Sequence, residues 1–237
     1  HKMKATAILF YLFLYTTYTV LGQVTDAYII NHNLGGFEIR SMSDINVILQ
    51  TCSNFNQPNS MTYLRSTNTL VLKPFDEIVH VDPFTCDEKL FCAATGVTIN
   101  LAARRDTQEI YGIIGTSIRK ITGCDFTEVV CEVDISQIGT TPALEIVGDK
   151  MYIAGRQKLG IYTLSTCALE KLLDFPAPSL GVFDMTAISD NVIIGISNVN
   201  YFSLDISTED ITFFSLIPFL VDSISSMLFV QPEPPTM

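Results

Sequence analysis

The sequence predicts an all-β protein of five four-stranded units closed into a ring, on three observations. Short apolar runs centred on Ile29, Leu70, Ile110, Met151 and Val192 lie 41, 40, 41 and 41 residues apart. The runs between them are rich in β-branched and aromatic residues, are broken by Gly, Asp, Ser and Thr, and nowhere sustain a helical period. The first unit lacks a strand that a segment near the C-terminus can supply. A fixed repeat of this length filled with short strands is the sequence mark of propeller blades. The expected fold is therefore a β-propeller of five blades, each of four strands, closed by the C-terminal strand.

Within each unit the anchor run is followed by an alternating strand. These are residues 36–40, 78–82, 118–122, 161–165 and 201–205. A third run closes the unit, at 46–49, 89–91, 128–130, 169–173 and 211–214. A fourth strand precedes four of the anchors, at Met61–Leu64, Val97–Ala102, Ala143–Val147 and Phe183–Ile188. Only Gln23–Asp26 stand before the first anchor, whereas Asp222–Phe229 follow the fifth unit where another such strand belongs. Chain start and chain end are complementary parts of one blade, and joining them removes two open sheet edges.

Residues 1–22 read as a signal peptide. Lys2 and Lys4 form a basic start, Ala5–Tyr15 is unbroken apolar chain, and Val20-Leu21-Gly22 suits cleavage before Gln23. The run is too short for a spanning helix and is followed by Thr16, Thr17 and Thr19. No membrane span is expected after cleavage. Residues 23–230 form the single propeller domain and 231–237 a short Pro-rich tail. Charged residues at 16% are too few for a disordered acidic chain. The formal net charge of −11 repels phosphate backbones, which argues against a nucleic-acid partner.

Export makes six cysteines read as disulfides, and with no CxxC pair a zinc site is not expected. Cys86, Cys124 and Cys167 precede the last strands of units two, three and four, while Cys52, Cys92 and Cys131 follow the last strands of units one, two and three. Sequential pairing (52 with 86, 92 with 124, 131 with 167) would staple neighbouring blades. Local pairing (86 with 92, 124 with 131) is the alternative, and is preferred if the outer strand is bulged or short. Six extended residues span about 20 Å, so neither fits the strand edges above without adjustment.

Recognised catalytic patterns are few. His80 lies on an alternating strand and His32 in a turn, each read as structural. Ser117-Ile118-Arg119-Lys120 and Ser189-Asp190-Asn191 match SxxK and SDN, but a strand puts Ser117 and Lys120 on opposite faces about 10 Å apart. One constellation remains. Thr62, Asn100, Asp184 and Asp222 begin innermost strands, and Glu145 lies on the fourth. In a ring they would converge on one mouth of the channel and hold a polar ligand or a cation such as Ca²⁺. Short polar residues at strand starts also bond turn amides.

The repeated pattern of an apolar strand, a strand ending near Asp, and a turn around Thr-Cys or Ser-Thr resembles secreted β-propeller repeat proteins. It is carried best by Glu109–Thr122 and Lys150–Cys167 and spans about residues 27–230. The resemblance implies binding on one face or at the central channel. The function expected is a secreted, extracellular, non-enzymatic binding module for a protein or carbohydrate partner. The alternative is a Ca²⁺-assisted hydrolase or lactonase of propeller type.

Overall fold

The computed structural model of the chain describes residues 24–31, 35–44, 46–94, 100–139, 143–175, 182, 184–197, 200–214 and 224–230. Blade one holds β1 (Val24–Asn31), β2 (Phe37–Ser41) and β3 (Ile48–Cys52). Blade two holds β4 (Ser60–Leu64), β5 (Thr69–Lys73), β6 (Glu77–Val81) and β7 (Glu88–Ala93). Blade three holds β8 (Asn100–Ala103), β9 (Ile110–Ile114), β10 (Ser117–Ile121) and β11 (Val129–Glu132). Blade four holds β12 (Ala143–Val147), β13 (Lys150–Ala154), β14 (Lys158–Thr163) and β15 (Leu169–Asp174). Blade five holds β16 (Asp184–Ala187), β17 (Val192–Ser197), β18 (Asn200–Asp205) and β19 (Asp210–Phe214).

The last strand, β20 (Ile224–Val230), completes blade one by pairing antiparallel with β1, from Val24 opposite Val230 to Ile30 opposite Ile224. Every sheet is four-stranded and antiparallel. The innermost strands touch in the circular order β4, β8, β12, β16, β20 and back to β4. The protein is thus a five-bladed β-propeller closed by its C-terminal strand. Among the described residues no helix is long and apolar enough to cross a membrane.

Period-two alternation explains why this sequence makes a ring and not one flat sheet. A blade is covered on both faces, so successive residues of one strand serve different seams. Ile29 packs into the seam between blades one and two, and Ile30 into that between five and one. Leu70 and Leu72 face blade one while Val71 faces blade three. Met151 and Ile153 face blade three while Tyr152 faces blade five. Each of the five seams therefore has its own apolar core, that between five and one built, among the described residues, around Ile30, Ile194, Ile196 and Ile224.

All six cysteines are paired, as Cys52–Cys86, Cys92–Cys124 and Cys131–Cys167. This corrects the preference for local pairs. Cys52, Cys92 and Cys131 lie inside the outermost strands β3, β7 and β11, not after them, and each meets a turn of the next blade. The Cα atoms stand 5.6, 5.3 and 6.0 Å apart because the intervening chain runs out along one blade and returns. The outer pairs of blades one to four are indeed bulged. The bulges do not bring Cys86 to Cys92, which stand at opposite ends of β7.

The staples therefore join blades one to two, two to three and three to four. At the seam between four and five, Glu209 takes the turn position of Cys86 and Cys167. All three have positive φ (60°, 63° and 54°), and the amide of each donates to the carbonyl four residues earlier. The strand position of Cys92 and Cys131 is held by Leu173, which lies opposite Leu159 as Cys92 lies opposite Ile78. Here Lys171 of blade four forms an ion pair with Glu209 of blade five. The double substitution Leu173→Cys, Glu209→Cys is expected to close a fourth staple and add about 2–4 kcal/mol. A melting temperature raised by several degrees only under non-reducing conditions is the expected readout, whereas breaking the exposed ion pair by Glu209→Ala should cost under about 1 kcal/mol.

Candidate functional site

The channel is lined by the five innermost strands, and their registers set which side chains meet there. Met61, Leu101, Leu144, Met185 and Ile224 occupy equivalent places, each packed into the seam with the preceding blade. The residues one step later, Thr62, Ala102, Glu145, Thr186 and Ser225, share the opposite orientation. The residues one step earlier include Ser60, Asn100, Ala143 and Asp184.

That earlier layer carries a polar belt that ties four of the five innermost strands. Asp184 is fully buried and accepts hydrogen bonds from the amides of Met185 (3.1 Å), Ile224 (3.1 Å) and Met61 (3.4 Å) and from the Ser60 hydroxyl (3.4 Å). Ser60 Oγ in turn accepts from the Leu101 amide at 2.9 Å. One carboxyl and one hydroxyl thus satisfy main-chain donors on four of the five innermost strands, which a closed barrel of short strands otherwise leaves unpaired. Desolvation outweighs these bonds and raises the Asp184 pKa well above the usual carboxylate range, with the nearby Glu145 adding to the shift.

The later layer opens into a small, solvent-open recess lined by Thr62, Tyr63, Arg65, Ala103, Arg105, Gln108, Glu145, Thr186, Ala187 and Ser225. Glu145 is buried at its floor and accepts from its neighbour's amide, Ile146 N, at 2.9 Å. Burial pushes its carboxyl up to about 8, against the lowering effect of the Ile146 and Ala187 amides and the Arg105 charge. Arg105 sits in the turn after β8. Its Nη1 is buried without a hydrogen-bond partner among the described residues and lies 3.8 Å from the exposed Asp190 carboxylate. Gln108 braces the wall, its Nε2 donating to Arg105 O at 2.6 Å and its Oε1 accepting from Ser66 N at 3.1 Å.

Of the residues expected at the mouth, Thr62 and Glu145 come together in the recess, and Asp184 lies in the adjoining belt. Asn100 opens β8 and is half-buried. Asp222 lies outside the described residues, as do His32, the leader segment 1–22 and the tail 231–237. Among the described residues no cluster of three or more His, Cys, Asp or Glu is placed to hold a metal ion. His80 is on β6 opposite Val71 and Leu90, where burial pulls its pKa down. The residues that sequence reasoning passed over are Arg65, Arg105, Thr186 and Ser225. Arg65 and Arg105 carried a usable signal, since they stand one repeat apart, three residues after Thr62 and Ala102.

Fold and recess together define a disulfide-stapled five-bladed propeller with a polar pocket at one mouth of its channel. No protein-family model matches the sequence, and no curated protein matches it either. Among solved structures the chain is similar to hydrazine synthase of Kuenenia stuttgartiensis, at 13% identity and a TM-score of 0.47, over 67% of this chain. The match spans about half (49%) of that structure's chain.

Proposed function

We propose that the protein is a secreted, extracellular binding module that takes a polar ligand group into the channel-mouth recess. The observation that carries this reading is the lining itself. Hydroxyls of Thr62, Thr186 and Ser225, the guanidinium of Arg105 and the ring of Tyr63 come from three or more blades and surround one concavity. A concave site with a few convergent polar groups on rigid strands is what recognition of a small group requires. Three disulfides agree with an oxidising compartment. Calcium-assisted hydrolysis is the less favoured reading, because Glu145 and Asp184 already accept main-chain hydrogen bonds and burial favours their neutral forms, which do not attract a divalent cation.

The test is a Thr186→Phe variant, which fills the recess. Amide chemical shifts of wild type and variant would be followed against monosaccharides, short peptides and CaCl₂. Wild-type shifts confined to the recess strands and lost in the filled variant are expected. Ligand-induced shifts elsewhere, or a stabilisation by millimolar calcium lost on Asp184→Asn, would defeat this reading.

A further inference from the structure

Resting on the recess as the binding site, we propose that the group it takes is a carboxylate, seated on the guanidinium of Arg105 with hydroxyl donors from Thr62, Thr186 and Ser225. The starting point is the state of Arg105. A buried guanidinium nitrogen with no hydrogen bond is costly, and its ion-pair partner is Asp190, at 3.8 Å and 87% exposed on its side chain. At that distance and exposure the pair is screened by solvent and forms no hydrogen bond. The fork of a guanidinium matches a carboxylate with two parallel hydrogen bonds, which is the geometry that satisfies such a nitrogen.

The surroundings favour an anion. Arg65 supplies a second positive charge from the equivalent place one repeat earlier. Gln108 ties the Arg65–Ser66 turn to the Arg105 turn, fixing the spacing of the two cations. In a chain of formal net charge −11, two of the 14 basic residues converge on a recess whose one carboxyl is buried. That carboxyl, Glu145, is faced by Arg105 and by Asp184, and burial keeps it protonated at neutral pH, so it does not repel an incoming anion. The recess is small and opens to solvent, so only the charged end of a ligand need enter it; a sugar acid and the last residue of a peptide both present the same carboxylate.

Two probe pairs distinguish these sources: sodium glucuronate against methyl glucoside, and N-acetylglycylglycine against its C-terminal amide. Each would be titrated into the disulfide-intact protein by calorimetry and amide chemical shifts. The charged member of at least one pair is expected to bind at least tenfold more tightly than its neutral partner, and which pair responds names the source. Arg105→Gln should weaken that binding at least tenfold without lowering the melting temperature. Arg105→Lys, which keeps the charge and loses the fork, should fall between. Wild-type affinity should drop between pH 7 and 9 as Glu145 ionises, and Glu145→Gln should abolish that drop.

Equal affinity for charged and neutral members, equal affinity of wild type and Arg105→Gln, or tighter binding of inorganic phosphate than of either carboxylate would overturn the proposal. If the neutral members shift Thr62 and Thr186 resonances, the recess remains the binding site and only the carboxylate falls. If no probe shifts any recess resonance, both fall.

Discussion

Full reduction of the disulfides is expected to unfold the protein near room temperature. The three bridges close loops with sequence separations of 34, 32 and 36 residues. In the chain-entropy picture each removes about 4 kcal/mol of freedom from the unfolded chain. The loops follow one another without overlap, so their effects add, giving ~11 kcal/mol. That equals the whole stability of a typical domain, about 5–15 kcal/mol. The seams left behind are separate apolar cores, each serving two blades, so loosening one blade exposes both faces of its sheet. Far-UV circular dichroism with and without a phosphine reductant, with peptide mapping to follow which bridge opens, is the measurement. A reduced protein that keeps its native spectrum and melts within a few degrees of the oxidised form would show that the seams hold the ring unaided. The single pair Cys131→Ala, Cys167→Ala should already cost about 2–4 kcal/mol, because it leaves blade four without a covalent tie on either side.

The ring was legible from the sequence because both faces of every blade are apolar and the repeat is nearly constant. The anchors at Ile29, Leu70, Ile110, Met151 and Val192 all fall in second strands, counting β20 as the first of blade one. The strand over Ala143–Val147 has the bounds read from its sequence, and the closing pairing of β20 with β1 follows from the complementary chain ends. What spacing along the chain could not show was proximity between blades. The outer strands of blades one to three run two or three residues further than their apolar cores suggest, which carries Cys52, Cys92 and Cys131 into the ladder and next to a neighbouring turn. Of the recess, Thr62 and Glu145 were legible, whereas Arg105, Thr186 and Ser225 were not, since its walls come from segments about 40 residues apart. Asp184 was read correctly as the start of an innermost strand. That its carboxyl turns to three main-chain amides depends on how the strands are staggered around the channel, which no local pattern encodes.

Raising the pH should destabilise the protein through Glu145. The carboxyl titrates at about 8 in the folded state against an ordinary 4.5. The folded form therefore holds the proton more tightly than the unfolded form. The sign follows: this contribution is fully present below about pH 4.5 and is lost as the pH rises to 8. Each pH unit between those two values is worth about 1.4 kcal/mol, so ~5 kcal/mol is at stake across the window. Asp184, whose pKa is also raised by burial, acts in the same direction. Glu109, held down to about 2 by its hydrogen bonds from Lys120 and Thr107, acts in the opposite direction, its contribution being lost only as the pH falls below the ordinary range. It lies at the surface, where solvent screening keeps its effect small. Glu145→Gln retains an acceptor for the Ile146 amide and has no charge to bury. Urea unfolding at pH 5, 7 and 9 should find wild type and variant similar at pH 5, with the variant several kcal/mol more stable at pH 9. A variant whose stability falls with pH as steeply as that of wild type would place the titrating group elsewhere, and Asp184→Asn is then the substitution to compare.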